Sequence, residues 1–91
     1  MATSAKVTMS DLDAVRAVLT TELGLDVSVA RGLHRGSALF GDLPELDSMA
    51  VARVLTALED RFGFHIDDDE VDGELFETLG SLTDFVSAKR G

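Results

Sequence analysis

The run from Asp47 to Gly63 constrains the fold of this chain more than any other segment. Val51, Val54, Leu55, Leu58 and Phe62 recur at intervals of three and four residues, the spacing that gathers side chains on one face of an α-helix. Met49, Arg53, Thr56 and Asp60 fall on the other side, because a turn of about 100° per residue sets the two rows half a revolution apart. Asp47 offers a carboxylate to the unpaired N–H groups of the first turn, and Gly63 supplies a stop. A chain of 91 residues has room for one core, so a long helix with one apolar face must share that core with other helices.

Two partners for it are legible. Ser10 caps a first helix, with Asp13 three residues on as an acidic variant of the capping box, and Leu12, Val15, Leu19 and Leu23 recur at helical spacing before Gly24. Thr78 caps a last helix in which Leu79, Leu82, Phe85 and Val86 form the stripe, and Lys89 and Arg90 suit its negative end. Between them, Phe64-His65-Ile66 leads into Asp67-Asp68-Asp69-Glu70, after which Val71, Leu75 and Phe76 predict a short helix. The segment Leu25 to Leu46 has no sustained period but carries Leu25, Val27, Val29, Leu33, Leu39, Phe40, Leu43 and Leu46. A solvated linker would be polar, so this connection is expected to lie across the helices and help close the core. Strict alternation is absent, and the reading is an all-α bundle of three main helices and one short one, with a long first loop. Residues 7–91 are expected to form that domain, and residues 1–6 read as a disordered N-terminal segment.

The composition excludes several chemistries. With no cysteine there is no disulfide, thiolate metal site or cysteine nucleophile. No stretch approaches the ~20 apolar residues of a membrane span, and the first residues lack a basic segment followed by an apolar run, so a cytoplasmic monomer is expected. The net charge of −9 lies wholly in residues 42–91, where thirteen acids face four bases, whereas residues 1–41 balance four against four. That surface repels phosphate backbones and anionic lipid, and attracts basic patches on proteins. Asp68-x-Glu70-x-Asp72-Gly73 opens like a calcium-binding EF-hand loop, but the twelfth position is Leu79, which has no carboxylate to give. No metal site is expected.

Ser48 stands where the loop Leu39-Phe40-Gly41-Asp42-Leu43-Pro44-Glu45-Leu46 becomes the long helix. Its hydroxyl is expected at the first helical position, exposed. Ser48 lacks the Gly-x-Ser-x-Gly setting of a strained nucleophile, and neither His34 nor His65 stands in a recognisable motif. The chain is therefore not read as an enzyme. A serine so placed is either a neighbour of an ordinary cap or a residue meant to be modified, and the pair Asp47-Ser48 alone leaves both open.

The wider pattern bears on that choice. Leu43, then Asp47-Ser48-Met49, then Val54-Leu55-x-x-Leu58-Glu59-x-x-Phe62, an acidic segment, and Thr78-Leu79-Gly80-Ser81-Leu82-x-x-Phe85-Val86 resemble an acyl carrier protein over most of the chain. The string Leu39 to Val51 looks like the subgroup associated with exosortase systems and exopolysaccharide loci. The resemblance implies that Ser48 takes a 4′-phosphopantetheine from coenzyme A, through a separate phosphopantetheinyl transferase that supplies Mg²⁺ and the base. It implies an acyl group held as a thioester on that arm, in the manner of fatty acid or polyketide synthesis. The partners implied are an acyl-loading ligase and acyl-transferring or condensing enzymes. An aminoacyl or peptidyl carrier is the alternative cargo class, and an unmodified helical interaction module the alternative function.

This sequence departs from the family pattern in two places. Glu45, beside Pro44, stands where the family usually has glycine, and the exposed face of the long helix begins Met49, Ala50, Arg53 instead of a row of acids. Recognition by partners is then expected to use Asp42, Glu45, Met49, Arg53, Glu59 and Asp60 together with Asp47, and to be confined to a dedicated partner.

Overall fold

A computed structural model describes residues 10–90; the N-terminal segment expected at residues 1–6 lies outside them. Five α-helices follow in order: α1 Asp11–Leu23, α2 Val27–Gly32, α3 Leu39–Asp42, α4 Ser48–Phe62 and α5 Leu79–Arg90, with a 3-10 turn at Asp68–Glu70 between the last two. The three long helices are those expected, and among the described residues there is no strand, only an isolated antiparallel bridge between Ala38 and Thr78. α1 packs along both α4 and α5. Its Val15 and Leu19 join Val54 and Leu58 of α4 and Leu79, Leu82 and Val86 of α5 among the side chains removed from water.

The helix ends behave as local chemistry dictates. The N–H of Asp13 donates to Ser10 Oγ at 3.1 Å, while the Asp13 carboxylate turns outward and accepts from Arg16 at 2.6 Å; only half of the expected capping box forms. Gly24 and Gly63 end α1 and α4 with φ of 64° and 73°, the left-handed backbone that a side chain disfavours. At α5 the cap is reciprocal: Ser81 N donates to Thr78 Oγ1 at 3.0 Å and Thr78 N to Ser81 Oγ at 3.1 Å. The two remaining amides of that first turn reach back to the long connection, Leu79 N to the Ser37 carbonyl at 3.0 Å and Gly80 N to the Arg35 carbonyl at 2.9 Å. Every otherwise unpaired N–H at the start of α5 is thereby satisfied.

The connection from Leu25 to Leu46 closes the core with five of the eight apolar residues named above. Leu25, Leu33, Leu39, Leu43 and Leu46 are buried, but Val27, Val29 and Phe40 are exposed, and α2 buries no residue at all. The backbone stitches from residues 35–39 to residues 77–80 fix which side chains of this stretch turn inward. A second difference lies after α4. The short helix expected around Val71, Leu75 and Phe76 is a 3-10 turn at Asp68–Glu70 followed by hydrogen-bonded turns. Asp67 and Glu70 close a capping box of their own there, in which Asp67 N donates to Glu70 Oε2 at 2.8 Å. Asp72 Oδ1 then accepts from Glu74 N and Leu75 N at 3.0 and 3.1 Å. These side-chain bonds to the backbone compete with a continuous helix. Phe76 nevertheless reaches the core, 1% exposed, with its ring 5.8 Å from that of Phe40.

Candidate functional site

The start of α4 is held from the loop side by two leucines. Leu43 and Leu46 are buried, and the chain between them turns over Pro44 and Glu45, with Leu46 N donating to the Leu43 carbonyl at 3.0 Å. Asp47 follows in extended conformation; its Oδ1 accepts from Ala50 N at 2.8 Å and its carbonyl from Val51 N at 2.9 Å. Ser48 is then the first residue of α4, and its side chain is exposed. At the first two helical positions the N–H groups of Ser48 and Met49 have no carbonyl a turn earlier to donate to. A hydroxyl thus faces solvent beside free amides and the positive end of a helix dipole, surroundings that favour an attached phosphate over most groups.

Neither histidine is arranged to activate that hydroxyl. His34 lies in the loop before α3, its Nδ1 accepting from Gly36 N at 3.1 Å. His65 lies past the far end of α4, a helix about 22 Å long by its rise per residue, between Glu59 at 3.4 Å and Asp67 at 3.0 Å. Both histidines are exposed.

The face of α4 that continues from Ser48 differs in one residue from the sequence expectation. Ala50, read there as part of the exposed face, is 1% exposed and packs in the core. Met49 is 74% exposed, as its place on the outer row predicts. Arg53, one turn on from Met49, lies with Ala52, Thr56, Ala57 and Asp60 along an open groove of about 380 Å³ whose other wall includes Glu22 of α1. Asp42, Glu45 and Asp60 are exposed. Glu59 is not free in the same way: its side chain is half-buried, and its Oε2 accepts from Ile66 N at 2.7 Å, tying α4 to the chain that follows it.

Glu22 was not among the residues expected here. In sequence it stands beside the buried stripe of α1 as an ordinary edge residue, and only the packing of α1 against α4 brings it to the wall of the groove. The carboxylates of the calcium-like segment also have internal partners. Glu70 accepts from Lys89 Nζ and from Asp67 N, bonds that hold its carboxyl below the usual range for glutamate.

Residues 13–86 match the family model described as a phosphopantetheine attachment site. The acyl carrier protein of Chlamydia caviae is 29% identical over 83 residues, covering 91% of this chain and 100% of that protein. That of Chlamydia felis is likewise 29% identical over 83 residues, covering 91% and 99%. Among solved structures, a holo acyl carrier protein from Nitrosomonas europaea superposes with a TM-score of 0.80 at 50% identity, covering 88% of this chain and 95% of that one.

Proposed function

The chain belongs to the phosphopantetheine attachment-site family of acyl carrier proteins, and on that premise we propose that Ser48 is the residue that bears its 4′-phosphopantetheine. An acyl carrier protein is a carrier and not an enzyme, and its cofactor is covalently attached. When bound, the group supplies a terminal thiol that holds an acyl chain as a thioester, in a polypeptide with no cysteine of its own.

The observation that carries the assignment is the exposure of Ser48 at the first helical position beside a capped Asp47. Buried Leu43 and Leu46 hold the approach to the serine in place, so an enzyme meets a hydroxyl on a rigid element. Asp47 orients the first turn, and the free amides of Ser48 and Met49 favour the phosphodiester formed there. A phosphopantetheinyl transferase, with its own base and Mg²⁺, would take the proton from the Ser48 hydroxyl as Oγ bonds to the phosphorus of the phosphopantetheinyl group, while the pyrophosphate P–O bond of coenzyme A breaks and adenosine 3′,5′-bisphosphate leaves.

Carriers of this kind interact with enzymes. Here those enzymes are an acyl-loading ligase and acyl-transferring or condensing enzymes, which dock on Asp42, Glu45, Met49, Arg53 and Asp60, with Glu59 at the edge of the surface. Acyl cargo is favoured over aminoacyl or peptidyl cargo by the strongly acidic second half of the chain. Among the described residues no helix is long and apolar enough to cross a membrane, and we place the protein in the cytoplasm as a monomer.

Intact-mass measurement after incubation with coenzyme A and a transferase tests the assignment. The expected result is one phosphopantetheinyl adduct on the wild-type chain and none on Ser48→Ala. An adduct that persists in Ser48→Ala moves the site elsewhere, and a wild-type chain that takes no adduct leaves an unmodified helical module.

A further inference from the structure

We infer that the Met49–Arg53 face of α4 docks an enzyme surface that presents a carboxylate to Arg53 and an apolar socket to Met49, and that Arg53 turns away enzymes whose docking surface is wholly basic. This rests on the assignment of Ser48, since any enzyme that works on an arm attached there must approach the start of α4.

Three observations carry it. Among the described residues Arg16, Arg35, Lys89 and Arg90 are each held in an ion pair, with Asp13, Asp84, Glu70 and Asp11 respectively. Arg53, like Arg31 on α2, is exposed and has no such partner, although its own half of the chain carries thirteen acids. Its guanidinium, always charged and suited to planar, bidentate pairing with a carboxylate, is left for a group outside the chain. The second observation is Met49, 74% exposed and four residues earlier, hence on the same face. Its flexible, polarizable side chain suits a pocket on a partner.

The third observation is the surface around Arg53. Ala52, Thr56 and Ala57 are small side chains beside Arg53 that let another backbone come close, with Asp60 two turns on along α4 and Glu22 of α1 on the other wall. From the approach to α4 toward its C-terminus, the surface therefore reads acidic at Asp42, Glu45 and Asp47, basic at Arg53, and acidic again at Asp60 and Glu22, with Arg61 beside these last two. Complementary potentials steer encounter and reject wrong partners more than they add affinity. A surface made only of lysine and arginine satisfies both acidic ends and meets repulsion in the middle; one with a carboxylate at that point satisfies all three zones.

The test uses the full-length holo chain loaded with a short acyl group as its thioester and, as probe, a purified condensing enzyme whose carrier-docking surface is basic. Conversion to the holo form is verified by intact mass before any rate is measured. Arg53→Glu is expected to raise kcat/KM with that enzyme roughly threefold to tenfold at low ionic strength, and the gain should shrink as salt is added. Arg53→Gln, which removes the charge without adding an acid, should give an intermediate gain. Arg31→Glu makes the same change in net charge on α2 and should leave the rate unchanged. Equal gains from the Arg31 and Arg53 variants, or no gain from either Arg53 variant, overturn the inference while leaving the attachment site intact. A wild-type chain that never acquires the arm overturns both.

Discussion

Lys89 Nζ donates to both carboxylate oxygens of Glu70 at 2.8 Å, tying the last turn of α5 to the 3-10 turn that follows α4. Glu70 Oε2 also accepts from Asp67 N, so one carboxylate joins a capping box to a helix nineteen residues away. The bond from Lys89, followed by that from Asp67, lowers the pKa of Glu70. A carboxyl whose pKa is depressed by folding contributes stability above the unfolded value, about 4.3 for glutamate, and loses it as pH falls through the folded value. Glu70→Gln should therefore melt below wild type at neutral pH, and the gap should close as the solution is acidified past that range. Thermal melts of both proteins across an acid series check this. A gap that persists under strongly acidic conditions would mean that Glu70 acts through packing and not through its charge.

Gly80 tests the seam between the long connection and α5. A Cβ built there lies 2.9 Å from the Arg35 carbonyl oxygen and 3.3 Å from Arg35 Cβ. The first of these is backbone, and it already accepts the Gly80 N–H. Alanine gains helix propensity of about 1 kcal/mol over glycine within a helix interior, and less at the first turn. The clash forces the two chain segments apart, at a cost of about 1–3 kcal/mol. Gly80→Ala is thus expected to be destabilising in urea denaturation despite being a glycine-to-alanine change in a helix. An equal or raised midpoint would show that the 35–39 segment moves freely.

Phe76 tests how far the core depends on residues outside the helices. It is the largest of the fully buried side chains and lies in the turns between the 3-10 turn and α5. Phe76→Ala removes that volume and the contact with the Phe40 ring, which should cost about 3–5 kcal/mol. Against a total stability of about 5–15 kcal/mol for a domain, that is enough to leave the chain partly unfolded at ambient temperature. Phe76→Leu should keep the fold with a smaller loss. Calorimetry on the two variants separates a volume effect from an irreplaceable aromatic contact.

What the sequence disclosed and what it hid divide along the range of the interactions involved. α1, α4 and α5 were legible because their caps, stops and apolar spacing act within a turn or two; Ser10, Asp47, Thr78, Gly24 and Gly63 each do at the backbone what their residue type suggests. The loss of accuracy begins where distant segments decide. Phe40 is as apolar as Leu39, yet Leu39, whose N–H donates to the Glu77 carbonyl in the seam between residues 35–39 and 77–80, is buried and Phe40 is exposed. Gly80 was visible as part of a Thr-Leu-Gly pattern, while its reason, the Arg35 carbonyl, is 45 positions away in sequence. At the candidate site, Ser48 and Asp47 could be read from local chemistry. Glu59 and Glu22 could not, because one is claimed by Ile66 and the other reaches the α4 groove through packing of α1.

Asp47 combines two roles that substitution can separate. Its Oδ1 accepts from Ala50 N at 2.8 Å, which satisfies one N–H of the first turn of α4, and its charge opposes the positive end of the helix dipole. Asp47→Ala loses both and should lower stability by about 1 kcal/mol. Asp47→Asn keeps an oxygen that caps equally well, so its stability should stay near wild type. If Asp47 only fixes the helix start, the transferase should modify Ser48 in the Asn variant at the wild-type rate, and in the Ala variant more slowly as the first turn frays. If the carboxylate is itself read by a basic group on the transferase, the Asn variant should keep its melting temperature and lose modification rate, with the deficit shrinking at high salt. The acidic approach formed by Asp42, Glu45 and Asp47 favours the second pattern. Parallel melts and initial modification rates for the two variants distinguish them, and an Asn variant modified as fast as wild type would assign Asp47 to the helix alone.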